Sequence, residues 1–568
     1  MILRPLLLIF VFSLSAPLFA QYPTYAPPLR GPLLVTGTFG ELRTNHYHAG
    51  LDFRAATGTA VYSIADGYVS RVKISEGGYG QAIYVDHPEG YRSVYGHLSA
   101  LEEELLDTVR ARQLSEEKFG VDLRFDSLRF PVRKGQRIGA VGNRGYSFGP
   151  HLHFEVRSQI NDAALNPLNF GIEVKDTRPP QLRKLKVYER DVNGKVIAEQ
   201  ILSLRSQGKG RYDLQDTLVV NSKRVDFALK AYDRQDAMPN YNGPYGMRLV
   251  RDSSPVYAFR FDSIPFEQTL RLNAHVDYAE WTGEESWFHR LHDLPNGQLS
   301  YLQTLNYTPP DLSSGVVSPV EISVMDWSGN VAALTFQLRY EAKAVDQSVE
   351  PYEFYRIPWN VPSIIEREDL KLSIPAEALY EDLEMKLEIS QDSSADILSQ
   401  VIHLHDRLTP LQKAIGMSLQ PNIKIEPKYR EKVILTRCTK DGEVISYGGA
   451  LNETGGVVEL PVRTFGTYCL QTDTIPPTIE TTGFRNPIRG TRRISFRITD
   501  NVGTAGRARG LRYRATLDGE WLLFEYDLKK NRIYHDLTGQ VDPNGAIFRL
   551  EVWDDRDNKA IFETMLKN

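Results

Sequence analysis

Short apolar stretches separated by glycines dominate the first third of the chain. Val61-Tyr62-Ser63-Ile64, Gly67-Tyr68-Val69-Ser70-Arg71-Val72, Ala82-Ile83-Tyr84-Val85 and Ser93-Val94-Tyr95 have strand length and are rich in β-branched and aromatic residues. They predict a β domain over residues 33–175. One segment breaks this rhythm. From Ser99 to Phe119, Leu101, Leu105 and Val109 recur every four residues, with Glu102 to Glu104 between the first two. That is the period of an amphipathic helix, and Ser99 is placed to cap it. A helical insertion at about 100–131 is therefore expected inside the β domain.

A longer pattern occurs twice. Asp176-Thr177-Arg178-Pro179-Pro180-Gln181-Leu182 resembles Asp473-Thr474-Ile475-Pro476-Pro477-Thr478-Ile479. The double proline cannot donate ladder hydrogen bonds and suits a linker or a strand start. Each copy opens a region of alternating strands that end in Asp/Asn/Gly turns. These are Phe227 to Asp233 and Val324 to Asn330 in the first region, and Ile494 to Asp500 and Val552 to Asn558 in the second. The pattern predicts immunoglobulin-like β-sandwiches over 176–344 and 473–568. Their Asp-rich turns read as turn caps, with calcium binding as the alternative. Residues 345–472 form another β-rich domain between them. The fold class expected is mainly β: an antiparallel β-sheet domain with a helical insertion, followed by β-sandwich modules.

Composition narrows the picture. A chain of 568 residues implies three to four domains. The net charge of −5, with no basic run, argues against nucleic-acid binding. Met1 to Ala20 has a short basic start, an apolar stretch and small residues near Ala20, the pattern of a signal peptide. The protein is therefore expected to be exported, to the periplasm or cell envelope, with no membrane span after signal removal. Residues 21–32 are rich in Pro and Tyr and read as a tether. Cys438 and Cys469 are the only cysteines; they read equally as a disulfide or as two buried thiols.

Chemistry concentrates near residue 150. His151 and His153 are two apart on a predicted strand, so they share a face and lie about 7 Å apart. Glu155 is read as alternating to the opposite face and is given no base role. Upstream stand His48-Ala49-Gly50-Leu51-Asp52 and Tyr95-Gly96-His97-Leu98-Ser99. His48, Asp52 and one of the pair supply three ligands for a tetrahedral zinc that keeps a position for water. The two remaining histidines can then orient that water and move protons. His46 and His87 read as structural neighbours, and His403 with His405 as ordinary strand or surface residues. The chain contains no HExxH motif.

Four segments together resemble the lysostaphin/LytM-type zinc metalloendopeptidases, which cleave peptide bonds in bacterial cell walls. They are His48 to Asp52, Ala65-Asp66-Gly67-Tyr68-Val69, Tyr95 to Leu98, and Gly142-Asn143-Arg144-Gly145 running through Ser147-Phe148-Gly149-Pro150 into His151 to Glu155. The resemblance covers residues 33 to about 160. It implies Zn2+ on His48, Asp52 and His153, with His97 and His151 as the catalytic pair; spacing alone allows His151 and His153 to exchange roles. It also implies a zinc-dependent endopeptidase whose substrate is peptidoglycan peptides, either cross-links or stem peptides. The alternatives are a non-catalytic activator of another wall hydrolase and a protease acting on exported proteins. Two features depart from the family pattern. Phe39 and Arg43 occupy the region where the family often carries a Tyr, and the insertion after His97 is long. That insertion is read as a wall of the substrate groove or a lid. The C-terminal sandwiches are expected to hold the enzyme on the wall or on a protein partner.

Overall fold

The computed structural model describes residues 22–567 except 300, 343–352, 393, 395, 439–442, 450, 453–457, 489–492 and 538–544. The segment read as a signal peptide lies outside the described residues. So does the side chain of Cys438, and with it the pairing of the two cysteines.

The first domain is built on one antiparallel sheet. Its strands are β1 (Val35–Gly37), β2 (Leu51–Arg54), β3 (Gly67–Ile74), β4 (Gln81–Asp86), β5 (Tyr91–Gly96), β6 (Val121–Arg124) and β7 (His151–Ser158), in the spatial order β1-β2-β7-β5-β4-β3-β6. Strand alternation sorts the side chains. Leu152, Phe154 and Val156 of β7 join Leu51 and Phe53 of β2, Tyr95 of β5 and Ile83 and Val85 of β4 in the core. His151, His153, Glu155 and Arg157 of β7 project from the other face. Glu155 is thus on the same side as the histidine pair, not opposite. Residues i and i+2 share a face, and Glu155 is two residues from His153.

The insertion contains a helix, α1 (Glu103–Glu116), followed by β6. Ser99 does not cap the helix. The helix begins after Glu102, while Ser99 Oγ donates to the Val141 carbonyl at 2.7 Å. The insertion is also built into the domain rather than laid over it. β6 pairs with β3 at the sheet edge, and Leu105, Val109, Phe119, Val121 and Leu123 are buried in the core. The tether reading fails too. Tyr25 stacks on Phe170 at 5.4 Å, and Tyr25 N donates to the Phe170 carbonyl at 2.8 Å.

Residues beyond 175 form further β layers. The strands Gln181–Arg190, Val196–Ser203 and Arg224–Tyr232 make one sheet, while Gly246–Arg251, Ser254–Arg260, Val317–Met325 and Val331–Tyr340 belong to a second. Between Ser254–Arg260 and Val317–Met325 lie short helices at Phe266–Arg271, Leu272–His275 and Tyr278–Glu284. At the C-terminus two four-stranded antiparallel sheets face each other, with Phe496 and Phe548 stacked at 5.6 Å. One continuous apolar core runs through the first domain, the 176–344 module and the C-terminal module, whereas residues 357–470 have a core of their own. Among the described residues no helix is long and apolar enough to cross a membrane.

Candidate metal centre

Neighbouring strands bring the predicted residues together. In the β2/β7 register Asp52 faces His153, and in the β7/β5 register His153 faces Gly96. One row across three strands therefore carries Asp52, His153 and the residue before His97. Gly50 lets His48 and Asp52 reach this row, because a Cβ at position 50 would lie 2.2 Å from the Phe154 carbonyl oxygen. Gly142 does the same for the loop entering β7, where a Cβ would lie 2.6 Å from the His97 carbonyl.

At the centre His48 Nε2, His153 Nδ1 and Asp52 Oδ1 converge. The two nitrogens are 3.1 Å apart, and they lie 3.1 and 3.0 Å from the carboxylate oxygen. Their outer contacts fix which nitrogens carry protons. His48 Nδ1 donates to the Thr38 carbonyl at 2.8 Å, and His153 Nε2 donates to Glu155 Oε1 at 2.7 Å. In the neutral rings the inward nitrogens are therefore lone pairs, pointing with a carboxylate oxygen at one spot. Three converging acceptors repel unless a cation or a proton sits among them. Two imidazoles and a carboxylate are a donor set suited to Zn2+. The residues present thus fit the metal that the sequence implies.

The surroundings support this arrangement. Burial alone would raise the Asp52 carboxyl, but the charge of His48 and hydrogen bonds from His151, His153 and His48 hold it well below the usual range. Burial alone would lower the His153 ring, but Asp52 and Glu155 outweigh it and raise it to about 9. Arg43 Nη2 meets the other Asp52 oxygen, Oδ2, at 3.4 Å, which leaves Oδ1 to the histidines. Phe39 is a core residue. Under His153 lies a fully buried carboxylate: Glu155 accepts from Arg157 Nε at 2.6 Å and from the Tyr79 hydroxyl. The Tyr79 ring stacks on His153 at 4.9 Å. Sequence reasoning missed both Tyr79 and Glu155. Correct strand parity was enough to find Glu155, but no local pattern marks Tyr79.

His97 and His151 flank the centre, with ring centroids 4.8 Å apart. His97 adopts a left-handed backbone, φ 59°, which turns its side chain back across the end of β5. Its Nδ1 donates to the Arg144 carbonyl at 2.7 Å, leaving Nε2 as a lone pair. Burial, then the neighbouring His153 and His151, lower this ring to about 3, so it is neutral over the working pH range. His151 Nδ1 donates to the Gly149 carbonyl at 2.8 Å, and its Nε2 lies 3.4 Å from Asp52 Oδ1. His46 is exposed with its Nδ1 against the Thr44 carbonyl at 2.9 Å, and His87 is held by the Asp66 carbonyl and Ser93 Oγ. His403 contacts Ser390 and Thr467.

Both distant modules brace the centre. Thr38, which holds His48 through its carbonyl, donates its own hydroxyl to the Gly243 carbonyl at 3.1 Å. Lys529 Nζ donates to the carbonyls of Asn143 and Ser147, at 2.7 and 2.8 Å, in the loop that delivers His151. Glu525 pairs with Arg144 at 2.8 Å and with Arg110 of α1 at 3.4 Å.

Residues 355–473 match a Zu5-like domain. A curated relative, the DD-carboxypeptidase/endopeptidase Mpg of Neisseria meningitidis, is 35% identical over 131 residues, which are 23% of this chain and 24% of that protein. The peptidoglycan DD-endopeptidase ShyA of Vibrio cholerae is 27% identical over 160 residues, 28% of this chain and 31% of that protein. The chain thus spans 24% and 31% of the length of these relatives. Among solved structures, the catalytic domain of the M23 protein EnpA from Enterococcus faecalis is 27% identical and covers 27% of this chain and 98% of its own, with a TM-score of 0.19. Residues 46–114 and 129–167 match peptidase family M23, and the unmatched stretch between them falls in the insertion. The stretches similar to peptidase family M23 contain His48, Asp52, His97, His151 and His153.

Proposed function

We propose that the chain is an exported zinc-dependent endopeptidase that hydrolyses peptide bonds in peptidoglycan. The observation that carries this reading is the convergence of three ligand atoms, His48 Nε2, Asp52 Oδ1 and His153 Nδ1, beside the rings of His97 and His151. When bound, Zn2+ supplies Lewis acidity, which polarises the scissile carbonyl and acidifies water. Each ligand is held by an outer partner: Thr38 and Glu155 set the proton positions of His48 and His153, and Arg43 occupies the second oxygen of Asp52. His97 Nε2 is the base best placed to take a proton, because its Nδ1 proton is committed to the Arg144 carbonyl. His97, once protonated at Nε2, can hand that proton to the leaving amine, while His151, its Nδ1 committed to the Gly149 carbonyl, presents Nε2 to the centre as a second polar group beside the reacting atoms. The substrate class follows from what the relatives are named to cleave. All five side chains are in place, which favours catalysis over a purely activating role.

The test is to incubate the mature protein with purified peptidoglycan, with and without a zinc chelator, and to read new peptide ends by mass spectrometry. New ends that vanish with the chelator support the reading, and no new ends under any condition overturn it. His153→Ala is expected to lose bound zinc. His97→Ala is expected to keep it and to lose about 100- to 10,000-fold in turnover.

A further inference from the structure

The two copies of the Asp-Thr-x-Pro-Pro segment mark more than a module boundary. In each module the opening aspartate meets two others. Asp176 converges with Asp233, directly after the strand Arg224–Tyr232, and with Asp326, directly after Val317–Met325. Asp473 converges in the same way with Asp500, after Arg493–Thr499, and with Asp554, after Ala546–Trp553. Within each trio one carboxylate oxygen from every member lies within 4.8 Å of the others.

The scaffolding of the two trios is the same. Asn330, four residues after Asp326, donates its backbone and side-chain nitrogens to the two Asp326 oxygens, both at 2.8 Å. Asn558 does so for Asp554, at 2.9 and 2.8 Å. The same Asn amides also reach the carbonyls of Asp176 and Asp473, at 3.3 and 3.0 Å. Turn capping accounts for Asp326 and Asp554. It does not account for the third member. Asp233 is only 1% exposed, lines the same cavity as Asp176 and Asp326, and has no hydrogen-bond partner for Oδ1. Asp500 Oδ1 is likewise buried without a partner. Burial and the charges of Asp176 and Asp326 push the Asp233 carboxyl up to about 8, the behaviour of a carboxylate that lacks a counter-charge.

We propose that each trio binds one Ca2+, tying the first residue of its module to two strand ends. Carboxylates are hard oxygen donors. Oxygens in a Ca2+ shell, each about 2.4 Å from the ion, lie at most about 4.8 Å apart. Calcium also accepts an irregular shell completed by carbonyls and water, whereas Mg2+ demands a near-ideal octahedron. The sites sit where the chain enters each module, so the ions fix how the modules join what precedes them. The first trio shares its cavity with Thr38, the residue that holds His48.

The full chain, preloaded with Zn2+ and stripped of Ca2+, is titrated with CaCl2 by calorimetry and followed by thermal unfolding. Two Ca2+ per chain and a rise in Tm of about 5 °C are expected. Asp233→Asn and Asp500→Asn, which keep side-chain shape, are each expected to lose one Ca2+, and the double variant both, with circular dichroism confirming the fold. If a variant fails to fold, the wild-type titration decides alone. No Ca2+ uptake and no Tm shift in the wild type, two Ca2+ retained in a folded double variant, or equal affinity for Mg2+ would each overturn the proposal.

Discussion

Glu155→Gln tests whether the buried carboxylate beneath His153 governs the metal centre. Every contact of that carboxylate is to a donor: His153 Nε2 at 2.7 Å, Arg157 Nε at 2.6 Å and the Tyr79 hydroxyl. Glutamine keeps the shape but turns one oxygen into an NH2 group, which must then face another donor. It also removes the buried one of the two carboxylates that Arg157 pairs with, leaving only the half-exposed Asp162 at 3.0 Å. Losing an outer partner of a metal-binding histidine lowers metal affinity by about 10- to 100-fold, or about 1.4–2.7 kcal/mol. Competition against a chromophoric zinc chelator reads this directly. The acid limb gives a second reading. Burial would raise the Glu155 carboxyl, but Arg157 and His153 hold it at about 2 against an ordinary 4.5. The native state therefore binds fewer protons than the unfolded state. The resulting stability, about 3 kcal/mol, is complete above pH ~4.5 and is lost as the pH falls through about 2. Urea unfolding from pH 5 to pH 2 is expected to show this loss in the wild type and not in Glu155→Gln. Unchanged zinc affinity together with an unchanged acid limb would refute the reasoning.

Other perturbations separate the supporting contacts. Arg43 is partly exposed, so Arg43→Ala is expected to weaken zinc binding less than 10-fold in the same competition assay. Lys529→Ala removes a charged donor from the loop before His151. A loss of about 1.5 kcal/mol corresponds to ~10-fold faster amide exchange over residues 143–149, measurable by hydrogen–deuterium exchange with zinc content unchanged. Leu105→Ala in the insertion is expected to cost about 2–5 kcal/mol, read as a fall in Tm. Deleting residues 103–127 is expected to unfold the domain rather than retune substrate choice, because it removes β6 and buried core residues.

The sequence by itself determined the parts of the centre that rest on short-range geometry. Two-residue alternation placed His151 and His153 on one face, and the residue types of His48 and Asp52 marked them as ligands; that Gly50 lets this segment approach β7 closely is seen only in the fold. The same parity rule, applied correctly, also places Glu155 under His153. Tyr79, Arg43 and the prolonged docking of residues 22–30 were not legible, because each acts across strands or loops far apart in sequence and no local period records such a contact. The aspartates of the repeats were visible as turn residues, but only folding shows that three from each module share a point. Tertiary structure also decided the fate of the insertion. Its helical period was plain, yet whether it lies over the site or extends the sheet depends on a pairing with β3. The reach of the C-terminal module is the extreme case. Lys529 grips a loop some 380 residues away, through backbone carbonyls whose availability depends on the loop's conformation and not on which residues form it.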